Sequence, residues 1–165
     1  MFKNRLLVVL AAAIQQTTPA AAGECMYDQP NQLEKLRGVA ASKPGARVDA
    51  DARAVLWTSK DKAHWSLVYG GCDHLGLAIT STKIKSLASK PTETLQAAVK
   101  MAVEFFDPVD AADLKKAIDQ KKYQIHTNRV STYFSIENES YDVFEIEQEF
   151  KEHAESLTVR WIRSF

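Results

Sequence analysis

Phe144-Glu145-Ile146-Glu147-Gln148-Glu149 alternates at every step, an acid following each apolar or neutral side chain. In an extended strand, successive side chains point to opposite faces. Three carboxylates therefore share one face, and Phe144, Ile146 and Gln148 share the other. The same period of two recurs on both sides of this stretch, at Tyr123/Ile125, Phe134/Ile136 and Val159/Trp161. Four half-buried strands are thus expected from Lys122 onward, with Asn138-Glu139-Ser140 as a hairpin turn between the second and third.

Upstream, Arg53 to Thr58 and His64 to Tyr69 carry the β-branched and aromatic residues of two more strands: Val55, Trp57, Trp65, Leu67 and Tyr69. The polar turn Ser59-Lys60-Asp61-Lys62 joins them as a hairpin. Gly70-Gly71-Cys72-Asp73-His74-Leu75-Gly76 follows, then the strand-like Leu77-Ala78-Ile79-Thr80. Glycines packed this closely predict a tight connection or a close approach of backbones.

Between the two strand-rich regions the period changes. Leu95, Ala98, Val99, Ala102, Phe105 and Phe106 form an apolar stripe at helical spacing over residues 92–107. Thr92 is the expected N-cap and Pro108 the stop. A second helix is expected from Asp110, as its cap, to about Gln120, with Leu114, Ala117 and Ile118 facing inward. Residues 30–41 suit a short N-terminal helix, with Leu33, Leu36 and Val39 or Ala40 on one face and Pro30 in the first turn. The sequence shows no internal repeat and no linker. Helices and strands come in separate runs, which predicts an α+β domain: an antiparallel sheet of about 5–7 strands with two or three helices packed on one face.

The N-terminus reads as a signal peptide over residues 1–22. Lys3 and Arg5 precede the apolar run Leu6 to Ile14, and Ala20-Ala21-Ala22 supplies the small residues of a cleavage site. That run is too short to span a bilayer. Glu24, directly before Cys25, argues against a lipid-modified cysteine. The expected mature chain, residues 23–165, is one domain, periplasmic or secreted, with no membrane contact after cleavage. Without Lys3 and Arg5 it carries 19 basic against 21 acidic residues, a balance unsuited to nucleic acid.

Cys25 and Cys72 are the only cysteines. In an oxidising compartment the pair is expected to form a disulfide. Closing a loop of about 48 residues is worth roughly 4 kcal/mol by chain entropy.

Catalytic signatures are missing. There is no Gly-x-Ser-x-Gly elbow, no phosphate-binding loop and no Rossmann glycine fingerprint. His64, His74, His126 and His153 form no helical metal pair, and Cys72 is committed to the expected disulfide, so neither metal nor cofactor is expected. An enzyme built on Asp73 and His74 would need a partner the sequence does not reveal.

The strongest signal is charge. From Glu137 to Glu155 there are eight acids and one formal cation, Lys151. A field of one sign steers a partner of the other. The expected function is a protein-binding module that neutralises a cationic hydrolase or toxin by occlusion. Glu145, Glu147 and Glu149 would provide steering. Gly70, Gly71, Asp73, His74 and Leu75 would form the contacting loop. As a class, this profile resembles periplasmic lysozyme inhibitors and immunity proteins. The alternative is a periplasmic carrier or sensor for a small ligand, with Trp57, Trp65 and Trp161 lining an apolar pocket.

Overall fold

In the computed structural model, the described residues are 29–51, 53–70, 74–84, 90–137 and 142–164. The expected signal peptide, Cys25, Cys72 and the turn at Asn138-Glu139-Ser140 lie outside them. The chain runs α1 (Gln29–Ser42), β1 (Arg47–Asp49), β2 (Ala54–Thr58), β3 (His64–Gly70), β4 (His74–Ile84), α2 (Pro91–Phe105), α3 (Pro108–Asp119), β5 (Gln124–Thr127), β6 (Ser131–Glu137), β7 (Asp142–Lys151) and β8 (Ala154–Ser164). The α+β class holds, but the strand count does not. All eight strands form a single sheet in the order β1-β2-β3-β4-β8-β7-β6-β5, antiparallel at every pairing. The unforeseen strand is β1. Its three residues are all exposed and carry no apolar alternation, so only pairing with β2 defines it.

The sheet has a symmetry that the sequence does not display. A helix followed by a four-stranded meander, α1 with β1–β4, is matched by α2 and α3 with β5–β8. The two meanders meet where β4 pairs with β8 along eleven positions, from His74 opposite Ser164 to Ile84 opposite Ala154. Topology repeats while residue identity does not, because the requirement is one apolar face per strand and many sequences satisfy it.

Register aligns those apolar faces. Val55, Leu67, Ile79, Val159, Ile146 and Phe134 form one continuous row from β2 to β6. Tyr69, Leu77, Trp161, Phe144 and Ile136 form the next row. Leu36 of α1, Leu95, Ala98, Met101 and Ala102 of α2, and Ala111, Leu114 and Ala117 of α3 belong to the same buried cluster. α1 lies against β1 and β2, and α2 against β7 and β8.

The helix starts differ from expectation. Lys90, not Thr92, caps α2: Pro91 takes the first helical position, where its missing N–H costs nothing. The Lys90 N–H donates to the Glu93 carboxylate at 3.2 Å. Likewise Asp107 caps α3 and Pro108 opens it, so this proline starts a helix just after α2 has ended. Asp110 thereby falls in the first turn of α3, where it is buried.

Candidate functional site

The structure draws together one group of residues that no sequence motif marks. A cleft of about 620 Å³ opens between α1, the α2–α3 corner and the central strands. Helical spacing brings Asn31, Gln32, Lys35, Gly38, Val39 and Ser42 of α1 to one wall. The floor is Leu67, Tyr69, Leu77 and Trp161, of which Tyr69, Leu77 and Trp161 are direct cross-strand neighbours. Phe105, Phe106, Asp107 and Asp110 close the far side. Clefts of about 300–1,000 Å³ with mainly apolar walls and a few polar groups are where proteins hold small molecules.

Two residues that line the cleft each carry a polar atom shut off from solvent and without a partner. Gln32 is 5 % exposed and Trp161 7 % exposed. Gln32 Oε1 and Trp161 Nε1 are the buried side-chain polar atoms without a hydrogen-bond partner among the described residues. Elsewhere such atoms are satisfied: Trp65 Nε1, for instance, donates to the Ser59 hydroxyl at 3.2 Å. A buried donor or acceptor left unpaired costs about 1–3 kcal/mol.

Each acid at the cleft has a cation beside it. Lys35 Nζ lies 3.9 Å from Asp107 Oδ2, with both groups largely in solvent. Asp110 is 3.7 Å from Arg163 Nη2, and the Arg163 guanidinium sits 4.9 Å from the centre of the Trp161 ring. Burial raises the Tyr69 hydroxyl above its ordinary pKa, and the nearby Asp107 charge pushes in the same direction. Gly38 lines the cleft from within α1, and a Cβ built there meets nothing within 4 Å.

Of the three tryptophans expected to line a pocket, Trp161 alone lines this one among the described residues. Trp57 and Trp65 stack on each other with ring centres 5.7 Å apart, and Phe105 packs against both at 5.6 and 6.0 Å.

The carboxylate trio lies where alternation puts it, on the sheet face opposite the core rows. That face carries a polar row from β3 to β5: Ser66, Thr80, Thr158, Glu147, Tyr133 and His126. The acids are not bare, however. Arg160 of β8 lies 3.1 Å from Glu147 and 3.6 Å from Glu145, and Lys151 lies 3.0 Å from Glu149. Each acid therefore has a cation in contact, which damps the field expected of the strand.

The expected contacting loop contracts. Gly70 ends β3 opposite Gly76 of β4, and the backbones of His74 and Leu75 pair with Ser164 and Arg163 of β8. Gly71 and Asp73 lie outside the described residues. Among those residues no three His, Cys, Asp or Glu side chains cluster as a metal site requires. No helix among them is long and apolar enough to cross a membrane.

No protein-family profile matches the chain, and neither a curated protein nor a solved structure does.

Proposed function

We propose that this chain is an exported binding protein whose site is the cleft between α1, the α2–α3 corner and the sheet, and that its ligand is a small, mainly apolar molecule. The observation that carries this reading is the cleft itself: about 620 Å³ with Leu67, Leu77, Phe105, Phe106 and Trp161 in its walls. Such a protein works as a carrier or sensor and transforms nothing. Export rests on the leader at residues 1–22, and a Cys25–Cys72 disulfide accompanies it.

The test is saturable binding of a neutral fluorescent hydrocarbon amine such as N-phenyl-1-naphthylamine, with Gly38→Phe as the blocking variant. Gly38 lines the cleft and a Cβ there meets nothing within 4 Å, so a bulky side chain at this position is expected to obstruct the cleft. One-to-one binding to the parent and its loss in the variant support the site. Absence of saturable binding, or equal binding by both, overturns it.

The second reading is the protein-binding module that occludes a cationic hydrolase or toxin. Its supporting observation is the hydroxyl-rich sheet face bearing Glu145, Glu147 and Glu149. If those acids steer a partner, capture from periplasmic extract weakens as salt rises. Capture that is insensitive to salt removes the steering role.

A further inference from the structure

The sheet ends at β5, whose outer edge has no neighbouring strand among the described residues. Gln124, Ile125, His126 and Thr127 are all exposed. The Asn128 N–H donates to the Ser131 carbonyl at 2.9 Å, and this bond fixes the phase of the ladder. In an antiparallel pair, residues that bond to the partner strand alternate with residues that face away. Gln124 and His126 therefore turn their main-chain groups toward β6, and Ile125 and Thr127 turn theirs outward. A row of open N–H and C=O groups is a template for one more strand. This template is held in place. Asn128 Oδ1 accepts from the N–H groups of Val130 and Ser131 at 2.8 Å each, and Asn128 Nδ2 donates to the Ser131 hydroxyl at 3.0 Å. An edge ordered beforehand loses less entropy on docking.

Charge says what the added strand carries. Between Gln120 and Ile136 the formally charged residues are Lys121, Lys122 and Arg129, with no carboxylate among them. They bracket β5, two before it and one after. No ion pair among the described residues takes up Lys121 or Arg129. Glu145, Glu147 and Glu149 lie two strands inward on β7, where Arg160 and Lys151 hold them. A second copy of the chain is a poor occupant. Antiparallel pairing with Ile125 opposite Ile125 would set Lys121 of each chain opposite Arg129 of the other, and like charges opposed across strands destabilise.

We infer that the β5 edge is a docking site for an extended peptide segment of a partner protein, acidic at both ends and apolar at its centre, which adds to the sheet as a further strand. Main-chain bonds to Ile125 and Thr127 supply the affinity, and the flanking cations select the partner. Ile125, 47 % exposed and opposite Phe134, offers the apolar contact. This edge shares no residue with the cleft.

The experiment titrates the full chain with acetyl-EDVTVDE-amide, with acetyl-KKVTVKK-amide, and with the acidic peptide N-methylated at its central amides. Calorimetry reads affinity, and the chemical shifts of the Ile125 and Thr127 amides read the place. The acidic peptide is expected to bind saturably, about tenfold or more tighter than the basic one, and to weaken as salt rises. N-methylation is expected to lower its affinity about tenfold, because the strand then lacks donors. Thr127→Pro removes one outward N–H and leaves the inner ladder intact, a change that edge strands tolerate. It is expected to weaken the acidic peptide by a similar factor. Lys121→Glu combined with Arg129→Glu is expected to reverse the preference in favour of the basic peptide. If circular dichroism shows that Thr127→Pro does not fold, the N-methylated peptide decides. Three results each overturn the site: no saturable binding of the acidic peptide to the parent, equal binding of acidic and basic peptides, or undiminished binding of the N-methylated one. A dimer of the parent in analytical ultracentrifugation that Thr127→Pro dissolves also overturns it, since the edge then belongs to a second copy.

Discussion

Arg160 on β8 reaches across the strand pair to Glu147 at 3.1 Å and to Glu145 at 3.6 Å, so one guanidinium serves two acids that project from the same face of β7. The alternation that puts these carboxylates two residues apart makes them repel, and the cross-strand cation offsets that repulsion.

Arg160→Ala is therefore expected to lower stability, by about 1 kcal/mol or less because the groups are partly solvated. The loss is expected to be largest at low ionic strength and to shrink as salt screens the two acids. Urea denaturation at two salt concentrations checks it, and an identical loss in both shows that Arg160 acts by packing.

The same cluster sets an alkaline limit. The Tyr133 hydroxyl is pushed up to about 12, first by burial and then by its hydrogen bond to Glu145 and that group's charge. Below pH 10.0, the ordinary tyrosine value, the hydroxyl is protonated in folded and unfolded chains alike, and its contribution is complete. Above that, the unfolded chain releases the proton first, so stability falls as pH rises through 10.0 toward about 12. Tyr133→Phe is expected to flatten this alkaline decline in thermal melts. Arg160→Ala is expected to raise the Tyr133 titration further, read as tyrosinate absorbance, because Arg160 pulls it down.

Thr94 of α2 donates its hydroxyl to Gln148 Oε1 of β7 at 2.8 Å, and Gln148 in turn donates through Nε2 to Glu155. Both Thr94 and Gln148 are 2 % exposed. Thr94→Val keeps the shape and strands the glutamine oxygen, so it is expected to cost about 1–3 kcal/mol in denaturant unfolding. A cost near zero shows that α2 is held to the sheet by apolar contact alone.

Leu36 and Gly38 test α1 from two sides. Leu36 is 0 % exposed, and Leu36→Ala is expected to destabilise the domain by about 2–5 kcal/mol. Gly38 sits mid-helix with open space where a Cβ would go, so Gly38→Ala is expected to stabilise by about 0.5–1 kcal/mol. Differential scanning calorimetry reads both. A Leu36→Ala variant that melts like the parent shows that α1 does not depend on the sheet.

Where a face is half buried, the chain announces it. Phe144 and Ile146, Phe134 and Ile136, and Val159 and Trp161 alternate with polar neighbours, and each pair lies in the core. The stripe on α2 was equally legible, with Leu95, Ala98 and Ala102 all buried. The helix starts were not, because Pro91 and Pro108 stand as readily before a helix as after one. Strand β1 was silent, since three exposed residues carry no pattern. The cleft was silent for another reason: Gln32 and Trp161 belong to opposite ends of the chain, and no local spacing links a helix near the start to the final strand.

For the bodies of the helices and for the core strands the sequence by itself determined the element and its apolar side, because backbone geometry imposes periods of two and 3.6 on any chain that buries one face; β1 and β5, exposed throughout, carry no such record, and the half-buried strand expected at Tyr123/Ile125 is exposed. Tertiary structure alone decided how those faces combine. Pairing β4 with β8 joins two meanders into one sheet and sets Trp161 beside Leu77, the β7–β8 register brings Arg160 beside Glu145 and Glu147, and α1 closes a cleft over Leu77 and Trp161. Each of these contacts depends on cross-strand register and on the packing of α1. Register is set by matching whole apolar faces across the sheet, a condition on all eight strands at once that no single segment carries.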